Sequence, residues 1–537
     1  MPLRRRVCSA GSGRAERRLI FRSPFPDVAL PKEPLHAFAL RHAAEFGDKP
    51  ALVDGPSGRT ITYAALADGI ERVGANLAKR GLRPDEVVAL FLPNVPEFAL
   101  AFFGTLRARG VVTTLSPLAT EHDITTQLRD AGAARLVTIN AFLERALPAA
   151  RAAGIEEVFV LDHAGEGLPF AALLAPSVPL PPLDIDPADT LAVLPYSSGT
   201  TGLPKGVMLT HQNLTTNVLQ TLATQHIDHR DSIVAVLPFF HIYGMVVVLT
   251  LGLHIGATVV TMPRFELEPF LALTERHRIT RAFLAPPAIL LLAKHPAVER
   301  HDLSALRVVL SGAAPLDAAI EMECRDRIGC KVIQGYGMTE TSPVTHATPD
   351  APGAARPGSV GVLVPNTEAR IVDLVSGAAL GPGADGEVQV RGPQVMRGYL
   401  NNPDATAATL DADGWLHTGD IGRVDEEGYF AIVDRLKELI KYKGYQVPPA
   451  ELEAVLLSHP CVADAAVIGV PHDDAGEVPK AFVVLKGEVA PDALLHYVAE
   501  RVASYKRIRS VEVVDAIPRS PAGKILRRVL KERVQRT

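Results

Sequence analysis

A loop rich in glycine and hydroxyl side chains is the segment best suited to chemistry. Residues 196–206 read YSSGTTGLPKG and follow an apolar run, 191–194, that is typical of a buried strand. Backbone N–H groups and hydroxyls of such a loop can surround phosphate oxygens, and Lys205 adds a positive charge. It is not a P-loop, because Pro204 stands where that motif has glycine before the lysine. Taken alone, the segment is also compatible with an ordinary surface loop.

Further segments follow this loop along the chain. They are LPFFHIYG (237–244), SGAAPL (311–316), QGYGMTE (334–340), GWLHTGD (414–420), DRLKELIKYKG (434–444) and PRSPAGK (518–524). Together they resemble the motifs of the adenylate-forming superfamily, which contains acyl-CoA synthetases, luciferases and peptide-synthetase adenylation domains. In wording they are most similar to those of 4-coumarate and cinnamate CoA ligases, over roughly residues 20–530. The resemblance implies acyl-AMP formation from an acid and ATP, followed by transfer of the acyl group to coenzyme A.

The resemblance also implies how the first half-reaction is catalysed. A carboxylate that attacks the α-phosphorus of ATP meets charge repulsion, so the site must neutralise phosphate and align two anions. Glu340 would bind Mg²⁺, which prefers oxygen ligands and substrate phosphates, and Thr339 would contact the α-phosphate. Lys524 would bridge the attacking carboxylate and that phosphate. Asp420, with Arg435 beside it, would bind the ribose hydroxyls.

The complete ATP and AMP set implied by the resemblance is larger. It comprises Ser197, Ser198, Gly199, Thr200, Thr201, Gly202, Lys205, Ala313, Ala314, Pro315, Gln334, Gly335, Tyr336, Thr339, Asp420, Ile432, Arg435 and Lys524. Outside these motifs Glu340 would be read as a solvated acid, Asp420 as a turn residue, and Lys524 as part of a basic tail.

A second group of basic residues is implied in thioester formation. Lys437 occupies the hinge position, and Lys441 would face the acyl-adenylate after a domain rotation. Lys443, Gly444 and Arg264 would border the path of CoA. His241 would act as a catalytic gate between the acyl pocket and the thiol tunnel; a buried structural histidine is the competing interpretation.

The residues of the predicted acyl pocket indicate which class of acid the protein binds. Its lining would be Ile242, Tyr243, Val246, Leu310, Ala313, Gly335, Gly337, Met338, Pro343 and Val344. Val246 and Leu310 stand where the plant enzymes often have asparagine and lysine. Because selectivity for a hydroxyl requires buried hydrogen-bond partners, the sequence favours an apolar acid, either cinnamate-like or a medium-chain fatty acid.

Three other functions share these motifs. The acyl group could pass to a carrier-protein thiol, although the intact segment 441–444 favours free CoA. A luciferase-like oxygenase would carry the same motifs. A degenerate binder of acyl-adenylate or AMP is disfavoured, because every expected catalytic position is filled.

The spacing of apolar residues predicts the helices and strands that position these side chains. Apolar runs at 87–92 and 158–161 predict buried strands, and 98–109 predicts a helix. Continuous apolar strands that alternate with helices are typical of a parallel sheet covered on both faces, and the rhythm recurs over 231–348.

After Pro357 the pattern changes. Segments 369–373, 386–391 and 428–433 predict antiparallel strands between Gly and Asp turns, and Pro449 predicts the start of a helix that runs to Leu457. The predicted fold is therefore α/β: a large N-terminal domain with parallel-rich αβα sheets and a β-rich subdomain, then a small mobile α+β C-terminal domain.

The expected division is a basic, disordered extension (1–22), an ATP- and acyl-binding domain (23–436) and a mobile domain (437–537).

The net charge of −5 provides no global field for nucleic acid. The four cysteines form no CxxC pair, which argues against a zinc site and favours the reducing cytoplasm. The longest apolar run, 245–260, is interrupted by His254 and is shorter than the ~20 residues of a membrane span. It predicts buried core.

Overall fold

Two large, mainly parallel sheets form the body of the chain. The structure is a computed structural model that describes residues 19–197, 204–436, 438–442, 445–472, 475–520 and 523–536. The first sheet has the strand order Gly398–Tyr399, Lys205–Thr210, Leu191–Ser197, Val111–Thr114, Val87–Leu90, Ala133–Thr138, Glu157–Val160 and Leu168–Pro169. It is parallel except at the two strands that begin this order, which are antiparallel to their neighbours.

The second sheet contains the strands that end at the candidate site. Its order is Val362–Leu363, Val344–Ala347, Lys331–Gly337, Val308–Ser311, Arg281–Leu284, Ser232–Ala235, Thr258–Thr261, Pro50–Asp54 and Thr60–Thr62. The strands from Lys331–Gly337 through Pro50–Asp54 are parallel, and the outer ones are antiparallel. This arrangement is the covered parallel sheet that the apolar runs predicted.

Two smaller sheets follow. The β-rich subdomain is antiparallel, with the order Phe21–Arg22, Glu368–Val372, Gly386–Arg391, Leu416–Val424 and Phe430–Arg435, and Ala379–Leu380 at the side. The last sheet has the order Tyr445–Val447, Ile440–Tyr442, Gly476–Leu485 and Val462–His472, with Ser510–Val513 parallel to Gly476–Leu485. The change from one sheet to the other falls between Arg435 and Ile440. Lys437, the predicted hinge, lies outside the described residues.

Helices cover the sheets. They are Leu35–Ala39, Ala43–Phe46, Tyr63–Lys79, Pro96–Arg107, Glu121–Asp130, Leu143–Ala152, His211–Leu222, Leu251–His254, Leu267–Arg276, Pro286–Lys294, Ala318–Ile328, Pro403–Thr409, Pro449–Leu457, Pro491–Ala499 and Arg527–Arg536. Short 3₁₀ turns occur at Asn140–Phe142, Phe170–Leu173, Pro296–Arg300, Thr339–Thr341 and Ser504–Lys506, and Tyr243–Thr250 is a π-helix. No helix in the described ranges is both long and apolar enough to cross a bilayer.

Local sequence explains where several helices begin. Pro96 and Pro449 start helices because their fixed φ suits the first turn, where no N–H is needed. Thr120 and Asp123 form a reciprocal capping box at the start of Glu121–Asp130. The helices Tyr63–Lys79 and Pro96–Arg107 then pack closely, since a Cβ at Gly104 would lie 2.4 Å from the Val73 side chain.

The largest hydrophobic cluster lies between the first two sheets. It includes the fully buried rings of Phe98, Phe102 and Phe103 and most of the π-helix. The apolar run 245–260 is part of this core, as predicted. Of the predicted N-terminal extension, residues 1–18 lie outside the described part, while Phe21 and Arg22 form a strand against Glu368–Val372.

Candidate active site

A cavity opens at the carboxyl ends of Val308–Ser311 and Lys331–Gly337. Its lining is Thr221, His241, Ile242, Tyr243, Val247, Leu310, Gly312, Ala313, Gly335, Tyr336, Gly337, Met338, Thr339, Pro343, Val344, His346, Ala347 and Lys524. The carboxyl edge of a parallel sheet is where α/β proteins bind ligands. Lys524 is contributed by the C-terminal segment, whereas the other lining residues come from the middle of the chain.

The structure brings most of the predicted acyl residues together. Nine of the ten positions line the cavity: Ile242, Tyr243, Leu310, Ala313, Gly335, Gly337, Met338, Pro343 and Val344. Val246 is buried in the core and is not among the described lining residues, whereas Val247 is. Tyr243–Thr250 is a π-helix, whose turn is wider than that of an α-helix. Val246 follows Tyr243 by three positions, so it lies further around the helix from the Tyr243 side chain than it would in an α-helix.

Close backbone approaches shape the cavity wall. A Cβ at Gly312 would lie 2.5 Å from the Tyr243 ring, and a Cβ at Gly337 would lie 1.9 Å from the carbonyl oxygen of Pro343. Ala313 adopts a positive φ of 72°, which turns the chain at the end of its strand. Glycine is therefore required at 312 and 337 by space.

One end of the site carries a partly buried polar network. The Tyr336 hydroxyl donates to Asp420 Oδ2 at 2.6 Å, and Arg435 Nε lies 3.2 Å from Asp420 Oδ1. Asp420 and Arg435 are register partners on adjacent strands, which fixes this pairing. Burial and the Asp420 charge raise the pKa of Tyr336, so its hydroxyl stays protonated and donates. A carboxylate has about four lone-pair positions, so Asp420 retains capacity for ribose hydroxyls.

The remaining predicted adenine-wall residues differ in position. Gln334 is buried, and its amide donates to the Glu321 carboxylate at 2.6 Å and to the carbonyl oxygen of Leu316 at 3.2 Å. Its side chain is thus committed within the protein. Ala314 is half-buried and Pro315 is exposed. Ile432 is half-buried and packs against the core of the β-rich subdomain.

The predicted magnesium ligand is buried beside a basic residue. Glu340 lies in the turn Thr339–Thr341, and its Oε1 accepts a 2.8 Å hydrogen bond from the Tyr399 hydroxyl. Lys205 Nζ lies 4.9 Å from the centroid of the same tyrosine ring. Ser197 is the register partner of Lys205. The predicted phosphate-binding residues Ser198, Gly199, Thr200, Thr201 and Gly202 lie outside the described residues.

The donor set decides which metal suits this place. In the described ranges no group of three or more His, Cys, Asp or Glu residues could hold a metal ion. A metal here would take Glu340 and oxygens of the substrate phosphates. That pattern fits Mg²⁺, which is usually bound through one or two carboxylates plus phosphates.

Lys524 is delivered to the cavity by a braced loop. The carbonyl oxygen of Lys524 accepts from Ser520 N at 2.8 Å, and Arg519 pairs with Asp464 at 2.7 Å. Gly523 has a φ of +82°, and a Cβ there would lie 3.1 Å from Ala285 Cβ of the main body. The loop therefore sits directly on the main body.

Burial and charge set the protonation states. Burial, then the Arg435 charge, lowers the pKa of Lys524 to about 8, while Asp420 and Glu340 act in the opposite direction. Burial, then Lys524, lowers the pKa of His241 to about 3. His241 Nδ1 accepts from Tyr243 N at 3.3 Å, so this neutral imidazole carries its proton on Nε2.

The residues predicted for thioester formation are placed elsewhere. Lys441 is exposed on Ile440–Tyr442, and its backbone N–H donates to the Glu477 carboxylate at 2.9 Å. Arg264 is exposed and paired with Glu266. Lys443 and Gly444 lie outside the described residues. The structure thus has Lys524 at the cavity and Lys441 on the surface.

Several residues at the site were not among those predicted from the sequence. Thr221, Val247, Gly312, His346 and Ala347 line the cavity, and Tyr399 contacts Glu340. The alternation of strand residues from Val344 could have indicated His346. Tyr399 lies in a strand of two residues, too short for a periodic signal.

Comparison with known proteins defines the class. The AMP-binding enzyme family model matches residues 40–400, and the AMP-binding enzyme C-terminal domain model matches residues 451–524. The chain belongs to the AMP-binding enzyme family, which confirms the resemblance found in its motifs.

The chain is similar over nearly its whole length to a named CoA ligase and to two solved structures. The chain is 44% identical over 540 residues to 4-coumarate-CoA ligase 1 of Narcissus pseudonarcissus, covering 98% of each chain. ATP-bound MatB from Rhodopseudomonas palustris superposes with a TM-score of 0.85 at 31% identity, over 94% of this chain and 99% of that one. The anthranilate CoA ligase AuaEII in complex with anthranoyl-AMP gives a TM-score of 0.87 at 27% identity, over 95% and 98%. The predicted fold class is confirmed.

Proposed function

We propose that the chain is an ATP-dependent carboxylate–CoA ligase of the 4-coumarate type. In the first step an acid and ATP give acyl-AMP and pyrophosphate. In the second, acyl-AMP and CoA give acyl-CoA and AMP. The observation that carries the proposal is the placement of Lys524 in one cavity with Tyr336, Thr339 and an apolar wall. Relatives named 4-coumarate-CoA ligases, matched over nearly the whole chain, support it.

The adenylation step uses positioned charge. The Lys524 ammonium would contact both the acid carboxylate and the α-phosphate, which reduces their repulsion as the oxygen–phosphorus bond forms. His241 Nε2–H would orient the other carboxylate oxygen. Glu340 would hold Mg²⁺, whose charge would stabilise the phosphate oxygens. Asp420, braced by Tyr336, would fix the ribose.

The thioester step would require a different domain arrangement. Lys441 is exposed here, so it reaches the adenylate only if the C-terminal domain turns and withdraws Lys524. We propose that this rotation occurs at Lys437, between the N-terminal domain (23–436) and the C-terminal domain (437–537). Arg264, Lys443 and Gly444 would then border bound CoA.

The proposed acid is a cinnamate-type aryl acid. Leu310, Val247 and Val344 give the cavity an apolar wall. The Thr221 hydroxyl donates to the carbonyl oxygen of Asn217 at 2.8 Å, so it has no proton left to donate to a ring hydroxyl. We expect kcat/KM for cinnamate to equal or exceed that for 4-coumarate, with octanoate as the aliphatic comparison. A preference for 4-coumarate of roughly tenfold or more would contradict this and would direct attention to His346.

Paired substitutions test the two-step assignment. Lys524→Ala should abolish ATP–pyrophosphate exchange while still converting supplied cinnamoyl-AMP and CoA to the thioester. Lys441→Ala should retain exchange and lose thioester formation. If both variants lose the same half-reaction, the assignment is wrong.

Replacing CoA with a phosphopantetheinylated carrier protein distinguishes the carrier-loading alternative. The cytoplasmic location stays a prediction from cysteine usage.

A further inference from the structure

Tyr399 occupies a junction between two parts of the ATP site. It lies on Gly398–Tyr399, a short strand that pairs with Val207 and Met208, two and three residues after Lys205. One further backbone bond extends the pairing: Leu400 N donates to the carbonyl oxygen of Gly206 at 2.8 Å. Tyr399 N also donates to Thr406 Oγ1, on the next helix, at 2.9 Å. Tyr399 is therefore buried in a fixed place.

The side chain of Tyr399 contacts two residues of opposite charge. Its hydroxyl donates to Glu340 Oε1 at 2.8 Å, and its ring lies 4.9 Å from Lys205 Nζ. A cation over an aromatic face is attracted by the ring quadrupole.

These contacts constrain the Glu340 carboxylate. The backbone around it is held where Met396 N donates to the carbonyl oxygen of Glu340 at 2.8 Å. Tyr399 uses one carboxylate oxygen, and Oε2 accepts no hydrogen bond from the described residues. In the described part of the chain that oxygen remains available to an outside partner. Ligating carboxylates are commonly oriented by such a second hydrogen bond.

Lys205 and Glu340 contact different parts of Tyr399, the ring and the hydroxyl. Within the described part of the chain these two side chains form no ion pair. A direct ion pair between Lys205 and Glu340 would occupy the ammonium that binds phosphate and the carboxylate that binds a metal. With Tyr399 present, the ammonium sits on the ring and the carboxylate accepts from the hydroxyl.

We propose that Tyr399 is a positioning residue for adenylation. Its hydroxyl orients Glu340 toward Mg²⁺, and its ring keeps Lys205 from neutralising that carboxylate. The inference rests on the proposed role of Glu340 as the magnesium ligand.

The test compares Tyr399→Phe with the wild-type protein. Binding of Mn²⁺ to the complex with a nonhydrolysable ATP analogue is measured by electron paramagnetic resonance, and Mg²⁺ activation by ATP–pyrophosphate exchange. We expect Mn²⁺ affinity to fall about 10-fold and the half-activating Mg²⁺ concentration to rise similarly, within the range known for outer-shell partners. Tyr497→Phe, which removes a hydroxyl 3.1 Å from Ser458 Oγ in the C-terminal domain, is the matched control and should change neither value.

A double-mutant cycle separates the inference from its premise. Glu340→Gln should weaken Mn²⁺ binding by itself, and Tyr399→Phe should then add little, because the two residues act as one unit. Additive losses, or unchanged Mn²⁺ affinity in Tyr399→Phe, would overturn the role of Tyr399. Unchanged Mn²⁺ affinity in Glu340→Gln would instead overturn the metal role of Glu340. Thermal unfolding without metal should show Tyr399→Phe folded; if it is unfolded, Tyr399 is a structural residue and the proposal fails.

Discussion

Adenylation should lose efficiency as the pH rises through about 8. The Lys524 ammonium is the proposed active form, and burial followed by the Arg435 charge lowers its pKa to about 8 in the ligand-free protein. Lys524 is then about 90% protonated at pH 7 and about 10% at pH 9. The value of kcat/KM for ATP in pyrophosphate exchange, which reports the free enzyme, should fall about 10-fold between these pH values.

Two comparisons make this prediction specific to Lys524. Bound ATP brings negative charge to the ammonium, so the same decline in kcat should occur at a higher pH. Lys524→Arg, although slower, should keep a flat kcat/KM from pH 7 to 9, because arginine does not titrate there. Samples returned from pH 9 to pH 7 should recover full activity, which excludes unfolding. A wild-type profile that is flat to pH 9, or the same decline in Lys524→Arg, would refute the reasoning.

Two further predictions concern the geometry of the site. Gly337→Ala should lower stability by about 2 kcal/mol or more in thermal or urea unfolding, because its Cβ would overlap the carbonyl oxygen of Pro343. Gly165→Ala, which has no heavy atom within 4 Å of the added Cβ, should be neutral, and equal effects would contradict this account. Tyr336→Phe removes a partly buried hydrogen bond to Asp420 and should raise the KM for ATP about 10-fold, corresponding to ~1.5 kcal/mol. An unchanged KM would mean that Asp420 needs no such brace.

Elements with strong local signals were predicted well. The helix Pro449–Leu457 and the strand Gly386–Arg391 have the predicted bounds, since proline starts the first and glycine precedes an alternating pattern in the second. Lys524 and Leu310 reach the cavity as the motifs implied.

Other features depend on information that a linear pattern does not carry. Val247 lines the cavity in place of Val246 because the backbone adopts a π-helix there. None of the residue types in this segment predicts a π-helix. The Gln334 side chain is committed to Glu321, and that contact depends on tertiary packing. A sequence also cannot show which domain arrangement is populated, whereas the structure has Lys524 at the cavity and Lys441 exposed.

The proposed ligase forms an acyl-adenylate, which a thiol then cleaves. The enzyme would be incubated with ATP, Mg²⁺, CoA and cinnamate carrying ¹⁸O in both carboxylate oxygens, and AMP would be examined by mass spectrometry. Attack of a carboxylate oxygen on the α-phosphorus, followed by breakage of the acyl C–O bond, leaves that oxygen on phosphate. We therefore predict one ¹⁸O in each AMP, together with pyrophosphate and cinnamoyl-CoA. Unlabelled AMP, or ADP in place of AMP, would contradict the account.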